Sequence, residues 1–565
     1  MLKGIAVSEG VGIGRAVIVE HQSLTYETGP VEDVEQEKER LRRAVQDFIR
    51  DTEALAEKLE GALDPRDVEI IKGHIVMLSD PFMLEQMESL ITEGQTAEAA
   101  AESVLNLFRD MFLSSGDELT RQRASDVEDI KRKLLERLLC VEQTDLRHLP
   151  ENTVLVVDDL TPSMTAEMDH DHVAGIVTEN GGMTSHSAIL ARAFGIPAVL
   201  SVPEVLKQIE NGQAVIVDGK EGVVIPEPNA ETVEQYRLRR DADLREQALL
   251  ESYQGKPTVT GDGVPRQVFC NIGNPGDAEC AAEHDGEGVG LFRTEFLFME
   301  RDTLPDEETQ YQAYRQVCET LKGKQVIIRT LDVGGDKEIP YLHLEKEENP
   351  FLGYRAVRFC LRNPEAYKIQ LRALIRAGAD TGGNLRIMIP MVTTAKEVQA
   401  VRQLAEEVCR ETGLAMPKIG AMIETPAAFI MADVLAKYSD FFSIGTNDLT
   451  QYIMAADRGN SSVAYLYKAY DPAVLRALRT IIAAGMNAGI PVGMCGEAAS
   501  DPLLIPVLIG LGLEEFSVAP AAVLKTRREI SQWTVEKAGA VAKRALTLET
   551  ADEVEQYLTQ VGNPD

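Results

Sequence analysis

No apolar run in the 565-residue chain approaches membrane-spanning length, and the opening MLKGIAVSEGVGIGRAVIV carries glycines and an acidic residue where a signal peptide needs an unbroken apolar stretch. Secretion and direct membrane insertion are therefore not expected, and the chain reads as cytoplasmic. Basic residues are few: 57 Lys plus Arg stand against 91 Asp plus Glu, a formal charge of -34. Broad nucleic-acid binding needs clustered cations and is not expected. A basic protein partner would be steered in, although an acidic stretch more often serves solubility alone. Cys140, Cys270, Cys280, Cys318, Cys360, Cys409 and Cys495 include no C-x-x-C pair, which speaks against a disulfide framework and a zinc site. What is present is ordinary for a folded globular protein, 44% hydrophobic and 26% charged, in a chain too long for a single core, so two to four domains are expected.

Short β-branched groups fill the first twenty residues, and from Val31 to about Cys140 the period changes to that of helices, as in EDVEQEKERLRRAVQDFIRDTEALAEKL. DPRD at 64–67 and SDPF at 79–82 punctuate these helices. Strand periodicity returns near Glu151 with NTVLVVDDL and VAGIVTEN and closes near Pro226. An α/β domain (1–30 and 143–227) is thus interrupted by a helical bundle (31–142). Residues 228–255 are densely charged and read as an exposed linker helix. From 256 to 565 roughly eight short apolar strands alternate with helical stretches, the pattern of a (β/α)8 TIM barrel. The strands are RQVFCNIG, GVGLFRTEF, QVIIRTLD, NLRIMIPMV, KIGAMIETP, DFFSIGTND, IPVGMCGE and EEFSVAP. The fold class is multidomain α/β.

In IVTENGGMTSHSAILARAFGIP a strand leads through Gly181 and Gly182 into a helix with His186 near its start. Unpaired N–H groups and the helix dipole favour an anion there. A neutral imidazole nitrogen can attack phosphorus, with the hydroxyls of Thr184 and Ser185 nearby. An ordinary cap-region histidine remains the alternative. His170 and His172 form an H-x-H without further ligands and read as surface residues.

The barrel pattern places Arg293 and Arg329 at strand ends, with Arg355 and Arg458 in loops or helix starts. Guanidinium forks suit a compact anion bearing carboxylate and phosphate. Taken singly, a strand-end arginine is usually structural. Glu424 and Asp448 end adjacent predicted strands, where they either share a hard cation such as Mg2+ or cap helices. Cys495 at the next strand end is either a proton donor to a carbon centre or a small buried residue.

GGMTSHSAILAR, GVGLFRTEFLFM, RTLDVGGDK, ENPFLGYRAVR, IETPAA, FFSIGTNDLTQY, DRGN and GMCGE, in this order along nearly the whole chain, closely resemble enzyme I of the bacterial phosphoenolpyruvate-dependent sugar phosphotransferase system. The resemblance implies a swivelling phosphohistidine domain and a barrel that binds phosphoenolpyruvate and Mg2+. It implies transfer of the phosphoryl group to His186 and then to a histidine of the phosphocarrier protein HPr. By motif, Glu424 and Asp448 hold the metal, while Arg293, Arg329, Arg355, Arg458, Lys337 and Asn447 bind the donor. Cys495 protonates the enolate to give pyruvate, and Thr165 orients the histidine ring. The helical insert becomes the HPr platform with His74 on its docking surface, the barrels pair as a homodimer, and the hinge falls in 228–254.

Two positions depart from the family pattern. Met183 stands where arginine is usual, removing a cation beside the histidine, and Glu128 occupies a usually basic position in the insert. A dikinase of the pyruvate phosphate dikinase or phosphoenolpyruvate synthase type shares the histidine and barrel but needs a nucleotide-binding domain. No segment resembles one, and no G-x-x-x-x-G-K-[ST] loop occurs. A non-catalytic scaffold would not need His186, Glu424, Asp448 and Cys495 together.

Overall fold

The computed structural model describes the chain except for residues 20–23, 27, 30, 60–64, 115–117, 142–145, 161–163, 165–167, 183–185, 300, 302, 335–338, 343–346 and 563–565. It divides into two compact units, Met1–Glu246 and Gln247–Asp565. Among the described residues no helix is long and apolar enough to cross a membrane.

The first unit contains an eight-stranded mixed sheet and a helical bundle. Strands β1 (Leu2–Lys3), β2 (Ile5–Ser8), β3 (Val11–Val19), β4 (Thr153–Val157), β5 (Val173–Thr178), β6 (Ala198–Leu200), β7 (Ala214–Asp218) and β8 (Val223–Pro226) lie in the order β1-β8-β7-β3-β4-β5-β6-β2. The run β3-β4-β5-β6 is parallel and the flanking pairs are antiparallel. Side chains alternate across the sheet. Val154, Val156, Val177 and Val199 join one core, and Leu155, Val157, Ile176 and Ala198 join the other, so both faces are covered.

Between β3 and β4 the chain forms α1 (Val34–Leu59), α2 (Pro65–Leu78), α3 (Pro81–Thr92), α4 (Ala97–Leu113) and α5 (Glu118–Leu138). Pro65 and Pro81 open α2 and α3 at the two turn signals, where a missing N–H costs nothing. Asp80 caps α3 by accepting from Phe82 N–H at 2.9 Å. Leu41, Phe48, Leu78, Met87, Leu105 and Ile130 pack a core of the bundle's own. Within the sheet segment α6 (His186–Ala193) connects β5 to β6 and α7 (Val205–Gln208) connects β6 to β7, and α8 (Ala230–Glu251) follows β8. No residue of α8 is buried, as its charge density suggests. Arg239 of α8 pairs at 2.7 Å with the fully buried side chain of Asp218.

The second unit is a closed barrel of eight parallel strands: β9 (Gln267–Ile272), β10 (Gly288–Arg293), β11 (Gln325–Arg329), β12 (Leu385–Ile389), β13 (Lys418–Ile423), β14 (Phe442–Ile444), β15 (Val492–Met494) and β16 (Glu515–Val518). Each expected barrel segment contains one of them. Leu291, Ile327, Met388, Met422, Phe441 and Cys495 cluster together, and the alternate strand residues Phe292, Val326, Ile387 and Ile423 pack in a separate, larger core.

Candidate active site

Residues at or just beyond the strand C-terminal ends line a cavity of about 490 Å³. Arg293 and Arg329 terminate β10 and β11, and Glu424 and Cys495 directly follow β13 and β15. Asp448 does not end a strand as expected: β14 stops at Ile444, and Asp448 sits in the first turn of the helix Thr446–Met454. Arg458 follows that helix, and Arg355 precedes the helix Val357–Arg362. All these residues and Asn447 line the same cavity.

Their charges alternate. Arg329 reaches Glu295 at 2.6 Å and Asp332 at 3.1 Å, and Asp332 pairs with Arg355 at 2.9 Å. Asp448 then stands 3.8 Å from Arg355 and 3.6 Å from Arg458. Arg329, Asp332, Arg355 and Asp448 are all buried, so each charge depends on its neighbours. Burial lowers the pKa of Arg329 and Arg355, but the flanking carboxylates outweigh it and both stay above the ordinary guanidinium value. Nε of Arg329 and Nη1 of Arg355 nevertheless lack a hydrogen-bond acceptor, as Oδ1 of Asp448 lacks a donor. The cavity thus has buried donors ready for an anion beside a carboxylate oxygen ready for a cation.

Glu424 is 1% exposed and accepts from Met391 N–H at 2.6 Å. Burial, then Asp448 and Asp332, raise its pKa, and Arg329 only partly offsets them. Met391 holds a left-handed φ of 54° in making this bond. Gly445 leaves room for the carboxylate, since a Cβ there would lie 2.6 Å from Oε2. The Cys495 thiol is 5% exposed; burial pushes it up to about 11, with Ser443 and Arg329 drawing it back. It stays protonated at neutral pH. Asn447 is held by a reciprocal pair, its Nδ2 donating to Glu497 Oε1 at 3.2 Å while Glu497 N–H donates to its Oδ1 at 3.1 Å.

In the first unit His186 opens α6, but its side chain lies outside the described set. Gly181 has a φ of 108°, supplying the turn. Ser187 donates to Asp159 at 2.7 Å and to the Leu160 carbonyl at 3.0 Å, tying the start of α6 to the loop after β4. Thr165, Met183 and Lys337 lie outside the described residues.

His74 departs from expectation. Rather than standing on an open docking surface it is 4% exposed, with Nε2 3.9 Å from Asp126 of α5. Val76, two positions further along α2, is 71% exposed. Two positions along a helix turn by about 200°, so the two face opposite ways. Glu128 is paired with Lys131 at 2.6 Å and Arg109 at 3.4 Å. Burial raises its pKa, but these cations win and hold it below the ordinary carboxylate value.

Sequence reasoning missed Glu295, Asp332, Tyr467 and Glu497. Asp332 left one signal, an acid three residues after a strand-end arginine in RTLD.

Three family models match in chain order: PEP-utilising enzyme, N-terminal, over residues 3–123; the mobile domain of PEP-utilising enzymes over 149–222; and their PEP-binding domain over 247–535. The phosphoenolpyruvate-protein phosphotransferase of Bacillus subtilis is 42% identical, covering 99% of each chain. That of Listeria innocua is 42% identical, covering 98% of each. A solution structure of an Enzyme I protein is 37% identical over 43% of this chain and 99% of its own, with a TM-score of 0.39. With relatives matched end to end and a barrel that gathers arginines, carboxylates and a thiol, the chain belongs to the phosphoenolpyruvate-protein phosphotransferase family.

Proposed function

We propose that the protein takes the phosphoryl group of phosphoenolpyruvate onto His186 and passes it to a histidine of HPr, releasing pyruvate, as the first step of sugar uptake. The observation that carries this reading is the alternating arginine and carboxylate chain around one cavity, with its buried donors still lacking acceptors and a protonated thiol beside it.

Arg293, Arg329, Arg355, Arg458 and Asn447 bind the donor's phosphate and carboxylate, with Lys337 and the ring-orienting Thr165 assigned by motif alone. Arg293 makes no ion pair among the described residues and so is available to the phosphate. The His186 nitrogen attacks phosphorus, the bridging P–O bond breaks, and an N–P bond forms. The enolate left behind takes the Cys495 proton at carbon to become pyruvate, and the thiolate regains a proton from water. Arg329, close to both the donor site and the thiol, stabilises charge on the enolate and then on sulfur.

Mg2+ fits Glu424 and Asp448. The Glu424 carboxyl is raised by burial and its acidic neighbours and the Asp448 Oδ1 receives no hydrogen bond, and among the described residues no third carboxylate, histidine or cysteine converges with them. That suits an ion that keeps most of its octahedron for substrate and water oxygens. Bound there, it supplies charge to the donor's oxygens.

HPr docks on the helical insert, where Val76 of α2 and Leu107 and Met111 of α4 are exposed apolar residues. His186 and the donor cavity belong to different units, so the histidine swings between donor and acceptor with α8 as the linker. The protein works in the cytoplasm as a homodimer joined through the barrels. Incubation with Mg2+ and phosphoenolpyruvate labelled in its phosphate tests the reading. Acid-labile label on the protein, absent in His186→Ala, is the expected result; an unlabelled wild type refutes it.

A further inference from the structure

The Cys495 thiol must meet a carbon atom, so its position matters as much as its proton. β15 pairs with β16 through Gly493↔Glu515 and Met494↔Phe516, and that register ends one residue short of Cys495. The Cys495 carbonyl therefore lies just past the ladder, where an unmade hydrogen bond would be costly. A side chain fills the place. Asn271 of β9, on the far side of β16, donates from Nδ2 to the carbonyls of Cys495 and Ser517, each at 3.1 Å. Its Oδ1 accepts from the hydroxyl of fully buried Ser517 at 2.7 Å. Both carbonyls can only accept, so the amide has one workable orientation.

The rest of the peptide is equally restrained. Cys495 N–H donates to the Ile444 carbonyl at 3.1 Å. At Gly496 a Cβ would come within 2.7 Å of the Thr446 backbone nitrogen, so the backbone is pressed against the start of that helix. With the N–H held from β14 and the C=O held from β9, little but the thiol's own χ1 rotation is free. Asn271 does not line the cavity and reaches the chemistry only through Cys495.

We propose that Asn271, oriented by Ser517, is the positioning residue for Cys495, fixing the face of the enolate to which the thiol delivers its proton. This rests on the reading of Cys495 as proton donor. The test compares Asn271→Ala, Ser517→Ala and Cys495→Ala in the full chain, using phosphoenolpyruvate stereospecifically deuterated at C3 in tritiated water. Asn271→Ala should lower kcat for pyruvate formation about tenfold, with KM for phosphoenolpyruvate within about twofold of wild type. The pyruvate methyl group should lose its single configuration, while phospho-HPr phosphorylates His186 at the normal rate. Ser517→Ala should show the same pattern, more weakly. Full stereospecificity and unchanged kcat in both variants overturn the proposal, as does an equal loss of transfer from phospho-HPr. If Cys495→Ala itself makes pyruvate at the wild-type rate with one configuration, the donor assignment fails first and this inference falls with it. A slow Cys495→Ala beside wild-type Asn271 and Ser517 variants removes this inference alone.

Discussion

Alkylation of Cys495 by iodoacetamide should speed up about tenfold for each pH unit from 7 to 10 without levelling off, because only the thiolate reacts and the thiol titrates near 11. The ordinary value is 9.0, so the rise to about 11 favours the protonated form by about 3 kcal/mol. Burial supplies it, and Ser443, Arg329 and Arg293 oppose it. At pH 8 about one thiol in a thousand is ionised, against about one in ten for an unshifted cysteine. Slow alkylation alone would show only that the thiol is hidden; the absence of a plateau reports its pKa. Peptide mass spectrometry separates Cys495 from Cys140, the exposed cysteine that serves as an internal clock. Since the folded-state pKa is raised, the corresponding stability is present below pH 9 and is lost as pH climbs towards 11, so circular dichroism must accompany the highest points. A plateau for Cys495 near pH 9 would refute the reasoning.

Arg329→Met removes the buried cation that pairs with Glu295 and Asp332, leaving Asp332 its bond to Arg355, and should cost the barrel about 3–5 kcal/mol in denaturant unfolding as well as donor binding; an unchanged midpoint would contradict the ion-pair account. Gly445→Ala pushes a Cβ towards Glu424 and should raise the Mg2+ concentration for half-maximal activity about tenfold, whereas an unchanged metal titration would mean that the carboxylate is not a ligand. Phe48→Ala removes a fully buried ring from the bundle core and should destabilise it by about 3–5 kcal/mol. Transfer to HPr should then fall well before the barrel's phosphoenolpyruvate binding does, and parallel loss would tell against separate cores. The HPr dissociation constant should rise with added salt, given the charge of -34, and a salt-independent value would exclude electrostatic steering by this surface.

The barrel was legible because apolar strands recur with helices between them, and because Arg293, Arg329, Glu424 and Cys495 come at or directly after strand ends. Asp448 shows the limit of that reasoning: β14 is only three residues long, so the expected strand end became the first turn of a helix. Glu295, Asp332 and Glu497 went unnoticed because their partners are remote in sequence or hidden by ordinary local composition. The reciprocal bond between Asn447 and Glu497 joins residues fifty positions apart, and neither neighbourhood announces it. The family resemblance implies His74 on the docking surface, but facing on a helix is set by tertiary packing. The bundle core claimed that side of α2 and left Val76 outward.

The order in which the sheet can be completed follows from its pairing. β1 needs β8, β2 needs β6, and β3 needs β4 and β7, so none of the first three strands pairs with another of the three. On a chain leaving the ribosome these strands have no partners until residues 153–226 follow. The helical bundle between them relies on local contacts and can close first. Once folded it converts a long, costly loop between Val19 and Thr153 into a short one, leaving the two strand ends ready to zip. The partner platform would then also serve as the scaffold on which the histidine-bearing sheet is born.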